Sequence, residues 1–128
     1  MKVLLDTHAL LWMITDDEKL SDKAKNIFLD QDSQLFFSAA SLWEMSIKIS
    51  LGKLRLIPDW LNTVKRELTA NSIRWLPIEI THCAAIEHLP FHHRDPFDRM
   101  LIAQAMTENM VLMSCDSHFS SYSIHCVW

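Results

Sequence analysis

Short apolar segments alternate along this sequence with longer segments of helical periodicity, and this alternation constrains the fold more than any other feature. Five short segments are predicted to be strands: 3–5, 35–37, 73–80, 110–113 and 124–128. Helices are predicted between them, beginning near Thr7, Ser21, Ser38, Pro58, Thr81 and Pro96. Strands separated by helices pair in parallel, because the helix returns the chain to the same end of the sheet. We therefore predict an α/β fold with a mainly parallel sheet of about five strands flanked by helices.

The composition fits a globular domain and excludes several other classes of protein. The chain has 128 residues, of which 49% are hydrophobic, so we expect a single domain over residues 1–128. Gly52 is the only glycine, which argues against a glycine-rich phosphate-binding loop. The formal net charge is −4, whereas non-specific binding to nucleic acid needs a basic surface. If nucleic acid is the substrate, local arginines or bound cations must supply the positive charge.

The cysteines and the lack of long apolar stretches predict where the protein resides. Cys83, Cys115 and Cys126 are odd in number and form no CxxC pair, which favours reduced thiols over a disulfide framework or a zinc site. Cys115 and Cys126 lie in apolar segments and are expected in the core. No signal peptide is evident, and no stretch reaches the roughly 20 apolar residues that span a membrane. We expect a cytoplasmic protein that does not bind a membrane.

Four acidic residues stand at the ends of the predicted strands or at the starts of helices. Asp6 follows the first strand and Asp116 follows the fourth, while Glu44 and Asp98 lie near the beginnings of two helices. In a parallel α/β sheet these positions meet at one edge, where ligands usually bind. Carboxylates held close together need a cation to offset their repulsion. Oxygen ligands suit a hard ion, so the sequence predicts a site for Mg²⁺ or Mn²⁺.

Each acid also has an ordinary structural interpretation. Asp116 is a plausible turn residue, and Asp6 is placed to cap a helix. Glu44 has Lys48 four residues later, a spacing typical of an ion pair on a solvated helix. Asp98 suits the first turn of a helix, where the helix dipole favours negative charge. The coincidence of all four at one sheet edge favours a functional site over four independent structural roles.

Four segments together resemble the PIN-domain ribonucleases, and in particular the VapC-like toxins of bacterial type II toxin–antitoxin modules. They are Leu4-Leu5-Asp6-Thr7-His8, Ser41-Leu42-Trp43-Glu44, His93 to Ala105 with its DPFDR motif, and Ser114-Cys115-Asp116. The resemblance covers essentially the whole chain, in order. It implies a PIN-like three-layer α/β/α fold that forms a single PIN domain. The sequence departs from the family at Ser114-Cys115, where a threonine is commoner.

The resemblance assigns roles to the acids by position. Asp6 and Asp98 match the principal metal ligands of the family, and Glu44 and Asp116 match supporting ligands. These four are the predicted catalytic and metal-binding residues, and Asp95 is accessory. The implied activity is Mg²⁺- or Mn²⁺-dependent endoribonuclease action, in which a metal-bound water hydrolyses the RNA phosphodiester and leaves 5′-phosphate and 3′-hydroxyl ends. The implied partners are an RNA substrate, a cognate antitoxin and a second copy of the chain.

Basic side chains near the predicted site are candidates for contacts with RNA phosphates. The candidates are Arg94, Arg99, His93 and Lys48. For Arg94 and Arg99, salt bridges to Asp95 or Asp98 are the alternative. His88, His92 and His93 also raise a zinc interpretation, although their spacing fits no standard cluster. Trp43 is expected to pack in the core, with stacking on an RNA base as the alternative.

Two other functions fit part of the sequence. A catalytically silent PIN-like module that binds RNA or a partner is the first, but a binding module has no need to crowd carboxylates. A phosphoryl-transfer or response-regulator-like domain also places Asp at strand ends. That class usually has a supporting lysine late in the chain, and here no lysine follows Lys65.

Overall fold

The computed structural model describes all 128 residues as one five-stranded sheet with six α-helices. The strands are β1 (Lys2–Leu5), β2 (Gln34–Ser38), β3 (Ile73–Leu76), β4 (Val111–Met113) and β5 (Cys126–Val127). The helices are α1 (Thr7–Ile14), α2 (Asp22–Leu29), α3 (Ala39–Ser50), α4 (Trp60–Ala70), α5 (Ile80–Glu87) and α6 (Pro96–Thr107), with a 3₁₀ helix at Ser117–Ser121. None of the helices combines the length and apolar character that crossing a membrane requires.

The sheet is parallel throughout, in the order β3-β2-β1-β4-β5. The first strand is central: Val3 pairs with Leu35 on one side and with Val111 on the other. Because each parallel connection needs a crossover, helices cover both faces of the sheet. The predicted α/β class and three-layer α/β/α architecture are confirmed.

Two apolar cores lie on opposite faces of the sheet, because successive side chains of a strand point to opposite sides. Val3, Leu5 and Phe37 are buried on the face covered by α1, α2 and α4. Leu4 and Phe36 are buried on the other face, against α6. Full burial of one such side chain contributes roughly 1.5–3 kcal/mol relative to exposure. Strands that are apolar on both faces are therefore what this architecture requires.

Several predicted boundaries differ from the observed ones for local reasons. The third strand ends at Leu76 rather than at residue 80, and Pro77, which has no N–H to donate to a ladder, follows it. The helix after β1 is capped by Asp6, whose carboxylate accepts from the Ala9 N–H, and Thr7 is its first helical residue. Gly52 has φ +72 and follows the C-cap residue Leu51 of α3, at the predicted C′ position.

Two residues predicted to lie in the core, Cys115 and Trp43, are exposed. Cys126 is partly buried and packs against the core around Leu4 and Phe36, and all three cysteines are free thiols. Trp43 has 59% of its surface exposed. The buried positions of α3 are Ala40, Ser41 and Met45, so Trp43 lies away from the core-facing side. Its indole instead packs edge-on against Phe97, with ring centroids 5.2 Å apart.

Candidate functional site

The order of the strands brings the first and last predicted acids to the same edge of the sheet. From the central β1, the chain moves to β2 on one side, and β4 pairs with β1 on the other. Asp6 follows the last residue of β1, and its backbone N–H donates to the Met113 carbonyl at the end of β4 at 3.1 Å. Asp116 lies three residues beyond Met113. The carboxyl ends of strands where the strand order reverses form the usual ligand crevice of open α/β sheets.

Helices α3 and α6 bring the other two acids to this crevice. Glu44 is in the second turn of α3 and Asp98 is in the first turn of α6, and these helices contact each other. All four predicted acids line one cavity of about 190 Å³. Its further polar lining consists of Asp95, Thr7, His8 and Lys48, with Cys115 beside Asp116. Five carboxylates therefore face this cavity and one lysine accompanies them.

Asp6 is the most deeply buried of the acids, with 7% of its surface exposed. Its Oδ1 accepts a hydrogen bond from the Ala9 N–H at 2.7 Å. Burial raises the pKa of Asp6 above its ordinary value, and the charge of Asp116 adds to the increase, while hydrogen bonds from Ser114 and Ala9 oppose it. The protein groups around Asp6 therefore do not fully stabilise its negative charge, and a bound cation would do so.

Asp98 is perturbed in the same direction. Burial and the nearby charge of Asp95 raise the pKa of Asp98 to about 6, and Glu44 adds a smaller contribution. A hydrogen bond with His93 opposes the increase: His93 Nε2 lies 3.3 Å from Asp98 Oδ2. A carboxyl with a pKa near 6 is only partly ionised in mildly acidic solution, so cation binding at this position depends on pH.

Glu44 contacts the first residue of α1 and a lysine of its own helix, α3. Its Oε1 accepts from the Thr7 hydroxyl at 3.0 Å, and its Oε2 lies 3.4 Å from Lys48 Nζ. The ion pair predicted from the spacing of Glu44 and Lys48 is present, but both residues also line the cavity. A partly exposed pair of this kind stabilises a helix by only about 0.2–0.5 kcal/mol, so it does not account for the position of Glu44 at the site.

The two remaining acids cap helices through their Oδ1 atoms. Asp116 accepts from the His118 N–H at 2.9 Å, and its Oδ1 also lies 3.0 Å from His118 Nδ1. Asp95 is the N-cap of α6 and accepts from the backbone N–H groups of Phe97 at 2.9 Å and Asp98 at 3.0 Å. Asp95 therefore fixes the start of the helix that carries Asp98, in keeping with an accessory position.

The donor set of the cavity suits a hard divalent cation in its chemistry. The carboxylates of five acids face the cavity. Burial and the charge of Asp6 raise the pKa of the Cys115 thiol, so this sulfur stays protonated. The available donors are therefore oxygen atoms, which hard cations prefer. No three acidic, histidine or cysteine side chains form a closed ligand set as they stand. Each of the five carboxylates has a hydrogen-bond partner within the protein, and Asp98 uses only its Oδ2.

The basic residues predicted to contact RNA differ in their exposure and in their distance from the cavity. Lys48 lines the cavity. Arg94 is exposed in the loop before α6, and its side chain makes no hydrogen bond or ion pair. Neither role predicted for Arg99 fits: its surface is 4% exposed, and its guanidinium donates to backbone carbonyls and to a phenol rather than to a carboxylate. The Arg99 side chain is buried and has a structural role, so it cannot contact RNA.

The histidines near the site are also engaged within the protein. His93 Nδ1 lies 3.0 Å from the Tyr122 hydroxyl and Nε2 faces Asp98, which leaves no free ring donor for a phosphate. His92 packs edge-on against Tyr122, and His88 is exposed beside Glu87. Sequence reasoning missed Tyr122, the only tyrosine. A buried tyrosine needs a hydrogen-bond partner, but the sequence does not identify that partner.

Comparison with known proteins identifies the family. The model of the PIN domain family matches residues 3–124, so this chain belongs to the PIN domain family. No curated protein matches the sequence.

Solved structures share the fold. A chain of VapBC2 from Rickettsia felis, bound to a DNA fragment from its promoter, is 15% identical with a TM-score of 0.73, covering 99% of this chain and 98% of that one. DNA-bound VapBC from Salmonella typhimurium is 17% identical with a TM-score of 0.73, covering 99% and 97%. VapBC-1 from nontypeable Haemophilus influenzae is 16% identical with a TM-score of 0.62, covering 99% and 97%.

Proposed function

We propose that this PIN domain is a metal-dependent endoribonuclease that acts as the cytoplasmic toxin of a type II toxin–antitoxin system. One observation carries the proposal: four acids from separate parts of the chain line the same cavity. They are Asp6, Glu44, Asp98 and Asp116. A structural role at each position explains each acid alone but does not explain their convergence. Membership of the PIN family and the fold shared with VapBC proteins support the same activity.

The four acids would hold Mg²⁺ or Mn²⁺, with Asp6 and Asp98 as principal ligands and Glu44 and Asp116 as supporting ones. When bound, such an ion activates a water molecule and neutralises charge on a phosphodiester. The protein contributes a partly desolvated acidic cavity whose carboxylates repel one another, and this repulsion favours cation uptake. Its own residues thus create the binding potential and orient the ligands.

Local positive charge near the cavity would accommodate RNA despite the net charge of −4. Arg94 is exposed without a partner of its own, and Lys48 lies at the cavity, where its ammonium pairs with Glu44 at 3.4 Å and is close enough to approach a phosphate as well. Bound cations would reverse the local potential of the acids. RNA binding would then depend on the metal.

A cleavage assay on a mixed RNA substrate tests the activity. Wild type is expected to produce fragments with Mg²⁺ or Mn²⁺ and none with a chelator, and Asp6→Asn and Asp98→Asn are expected to lose activity. Asp32→Asn, at an exposed acid outside the cavity, is the matched control and should cleave as wild type does. Full activity in either site variant, or activity in the chelator, would reject the proposal. Failure of Mg²⁺ and Mn²⁺ to change the thermal stability would favour the silent binding module.

An antitoxin segment is the proposed occupant of a second, apolar groove. This groove has a volume of about 530 Å³ and is lined by Leu42, Leu61, Val64, Leu68, Ile73 and Trp75, with Lys65 and Thr69. An amphipathic helix buries its apolar face in such a groove. The solved VapBC assemblies that share the fold support a partner of this kind. We also propose that the toxin forms a homodimer, which light scattering tests.

Co-expression tests the antitoxin proposal. Expression of the wild-type chain is expected to stop growth, and co-expression of the short protein encoded next to it is expected to restore growth. Leu61→Glu places a charge in the apolar groove and should prevent rescue while leaving RNA cleavage intact. Asp98→Asn should remove toxicity. Rescue of Leu61→Glu equal to that of wild type would exclude this groove as the antitoxin site.

A further inference from the structure

Tyr122 lies at the centre of a hydrogen-bonded group behind the acidic cavity. Its surface is 5% exposed, and its hydroxyl has three neighbours. The backbone N–H of His93 lies 3.2 Å away, the guanidinium Nη1 of Arg99 lies 3.3 Å away, and His93 Nδ1 lies 3.0 Å away. A phenol accepts two hydrogen bonds and donates one. The number of partners therefore matches the capacity of this oxygen.

The geometry determines which nitrogen of His93 carries the proton. The backbone N–H of His93 and the Nη1 group of Arg99 can only donate, so they occupy the two lone pairs of the Tyr122 oxygen. The hydroxyl hydrogen is left for His93 Nδ1, which must then accept. Nε2 consequently carries the hydrogen and donates it to Asp98 Oδ2 at 3.3 Å. The opposite tautomer would leave the Tyr122 hydroxyl without an acceptor and would aim a lone pair at a carboxylate.

Arg99 fixes Tyr122 and the loop that carries His93 to helix α6. Its Nη1 donates to the Pro90 carbonyl at 2.8 Å and its Nη2 to the Leu89 carbonyl at 3.1 Å. The Phe91 ring covers the guanidinium, with its centroid 4.0 Å from Cζ. Arg99 directly follows Asp98 in the sequence, so the cation that organises this loop is carried by the same helix turn as the site acid.

We propose that Arg99, Tyr122 and His93 are positioning residues that orient the Asp98 carboxylate for cation binding. The chain of hydrogen bonds runs from Arg99 through the Tyr122 hydroxyl and the His93 ring to Asp98 Oδ2. Oδ1 receives no hydrogen bond from the protein and is left to bind a cation. This inference rests on the proposed function, because it assigns Asp98 as a metal ligand. Residues that orient a ligand in this way typically change metal affinity or activity by about 10- to 100-fold when altered.

The first test determines the tautomer and needs neither metal nor RNA. In ¹⁵N-labelled wild type near neutral pH, we expect the His93 resonances to show a protonated Nε2 and an unprotonated Nδ1. In Tyr122→Phe the ring packing is kept and only the hydroxyl is lost, so the Nδ1 resonance should shift because Nδ1 no longer accepts a hydrogen bond. A protonated Nδ1 in wild type, or unchanged signals in Tyr122→Phe, would overturn the proposal.

The second test measures Mn²⁺ binding by calorimetry. Tyr122→Phe and His93→Leu are expected to bind Mn²⁺ about 10- to 100-fold more weakly than wild type. His93→Gln, which keeps an N–H donor near the position of Nε2, should retain more affinity than His93→Leu. His92→Gln is the matched control, because His92 packs on Tyr122 without a hydrogen bond to it and should leave the affinity unchanged. Wild-type affinity in both Tyr122→Phe and His93→Leu would contradict the inference.

The two proposals fail in different ways. If wild type binds no Mn²⁺ and cleaves no RNA, the proposed function fails, and the tautomer measurement still decides whether the hydrogen-bond chain exists. If wild type binds Mn²⁺ and cleaves RNA but Tyr122→Phe does the same at equal metal concentration, only the positioning role fails.

Discussion

Asp95 and Asp98 are linked in two opposing ways. The Asp95 carboxylate accepts from the Asp98 backbone N–H at 3.0 Å and caps the helix, while its negative charge raises the pKa of the Asp98 carboxyl. One residue therefore both orders the turn that carries a site acid and makes that acid harder to ionise.

Asp95→Asn is expected to shift the pH dependence of RNA cleavage to lower pH. Asparagine retains the cap but removes the charge, so the pKa of Asp98 should fall from about 6 towards its ordinary value. The rising limb of the pH–rate profile, measured at a subsaturating Mn²⁺ concentration where protons compete with the cation for Asp98, should follow it. Asp95→Ala removes both charge and cap, and should in addition lower the free energy of unfolding by about 1 kcal/mol. A profile unchanged in Asp95→Asn would contradict this assignment.

Asp98→Asn is expected to raise the melting temperature of the metal-free protein at pH 7.5. Burial raises the pKa of Asp98 from 3.8 to about 6, so the folded state binds the proton more tightly than the unfolded state does. The metal-free protein consequently loses stability as the pH rises from about 4 to about 6, and the loss persists above that range. Asparagine carries no charge to desolvate. Thermal melts at pH 4 and pH 7.5 should show the gain only at the higher pH, with Asp32→Asn giving no gain at either.

Arg94→Ala and Arg99→Ala should separate RNA binding from stability. Arg99 is buried, and its loss leaves the carbonyls of Leu89 and Pro90 without their side-chain donor and removes one of the two donors to the Tyr122 hydroxyl. We expect Arg99→Ala to lower the free energy of unfolding by about 2–4 kcal/mol in urea denaturation. Arg94→Ala should change it by less than about 0.5 kcal/mol and should instead raise the KM for RNA. The reverse pattern would show that the two arginines have been assigned wrongly.

Trp43→Ala is expected to weaken RNA binding without destabilising the fold. The indole is 59% exposed, is held edge-on by Phe97, and directly precedes Glu44. Stacking of one base on an aromatic ring contributes about 1–3 kcal/mol, so KM should rise by about 5- to 150-fold with little change in kcat. Leu29→Ala, at an exposed apolar residue of α2, is the control and should not affect KM. An unchanged KM for Trp43→Ala would exclude the stacking role.

The positions of the four acids were predictable because they follow from topology. Asp6 follows a strand and Asp98 lies in the first turn of a helix, and in a parallel sheet the carboxyl ends of strands meet the amino ends of helices at one edge. The strand alternation and the positions of the acids therefore predicted the edge of the sheet at which the cavity lies. The spacing also predicted the ion pair of Glu44 with Lys48, because side chains four residues apart are neighbours on a helix.

The contacts behind the site were not predictable from the sequence. The sequence gives no reason to distinguish Arg94 from Arg99. Only the packing of the 89–93 loop shows that Arg99 is buried and Arg94 is exposed. Trp43 was misplaced because its hydrophobicity suggested burial, although Ser41 and Met45 mark the buried side of α3. The partners of Tyr122 lie far away in the chain, so no local pattern indicates them.

The central position of β1 in the sheet has a consequence for synthesis of the protein. Asp6 leaves the ribosome early, but β4 and Asp116, which complete the cavity, are near the other end of the chain. A nascent chain shorter than about this length lacks one wall of the cavity. The cation site proposed for this cavity therefore cannot form until most of the chain has been translated.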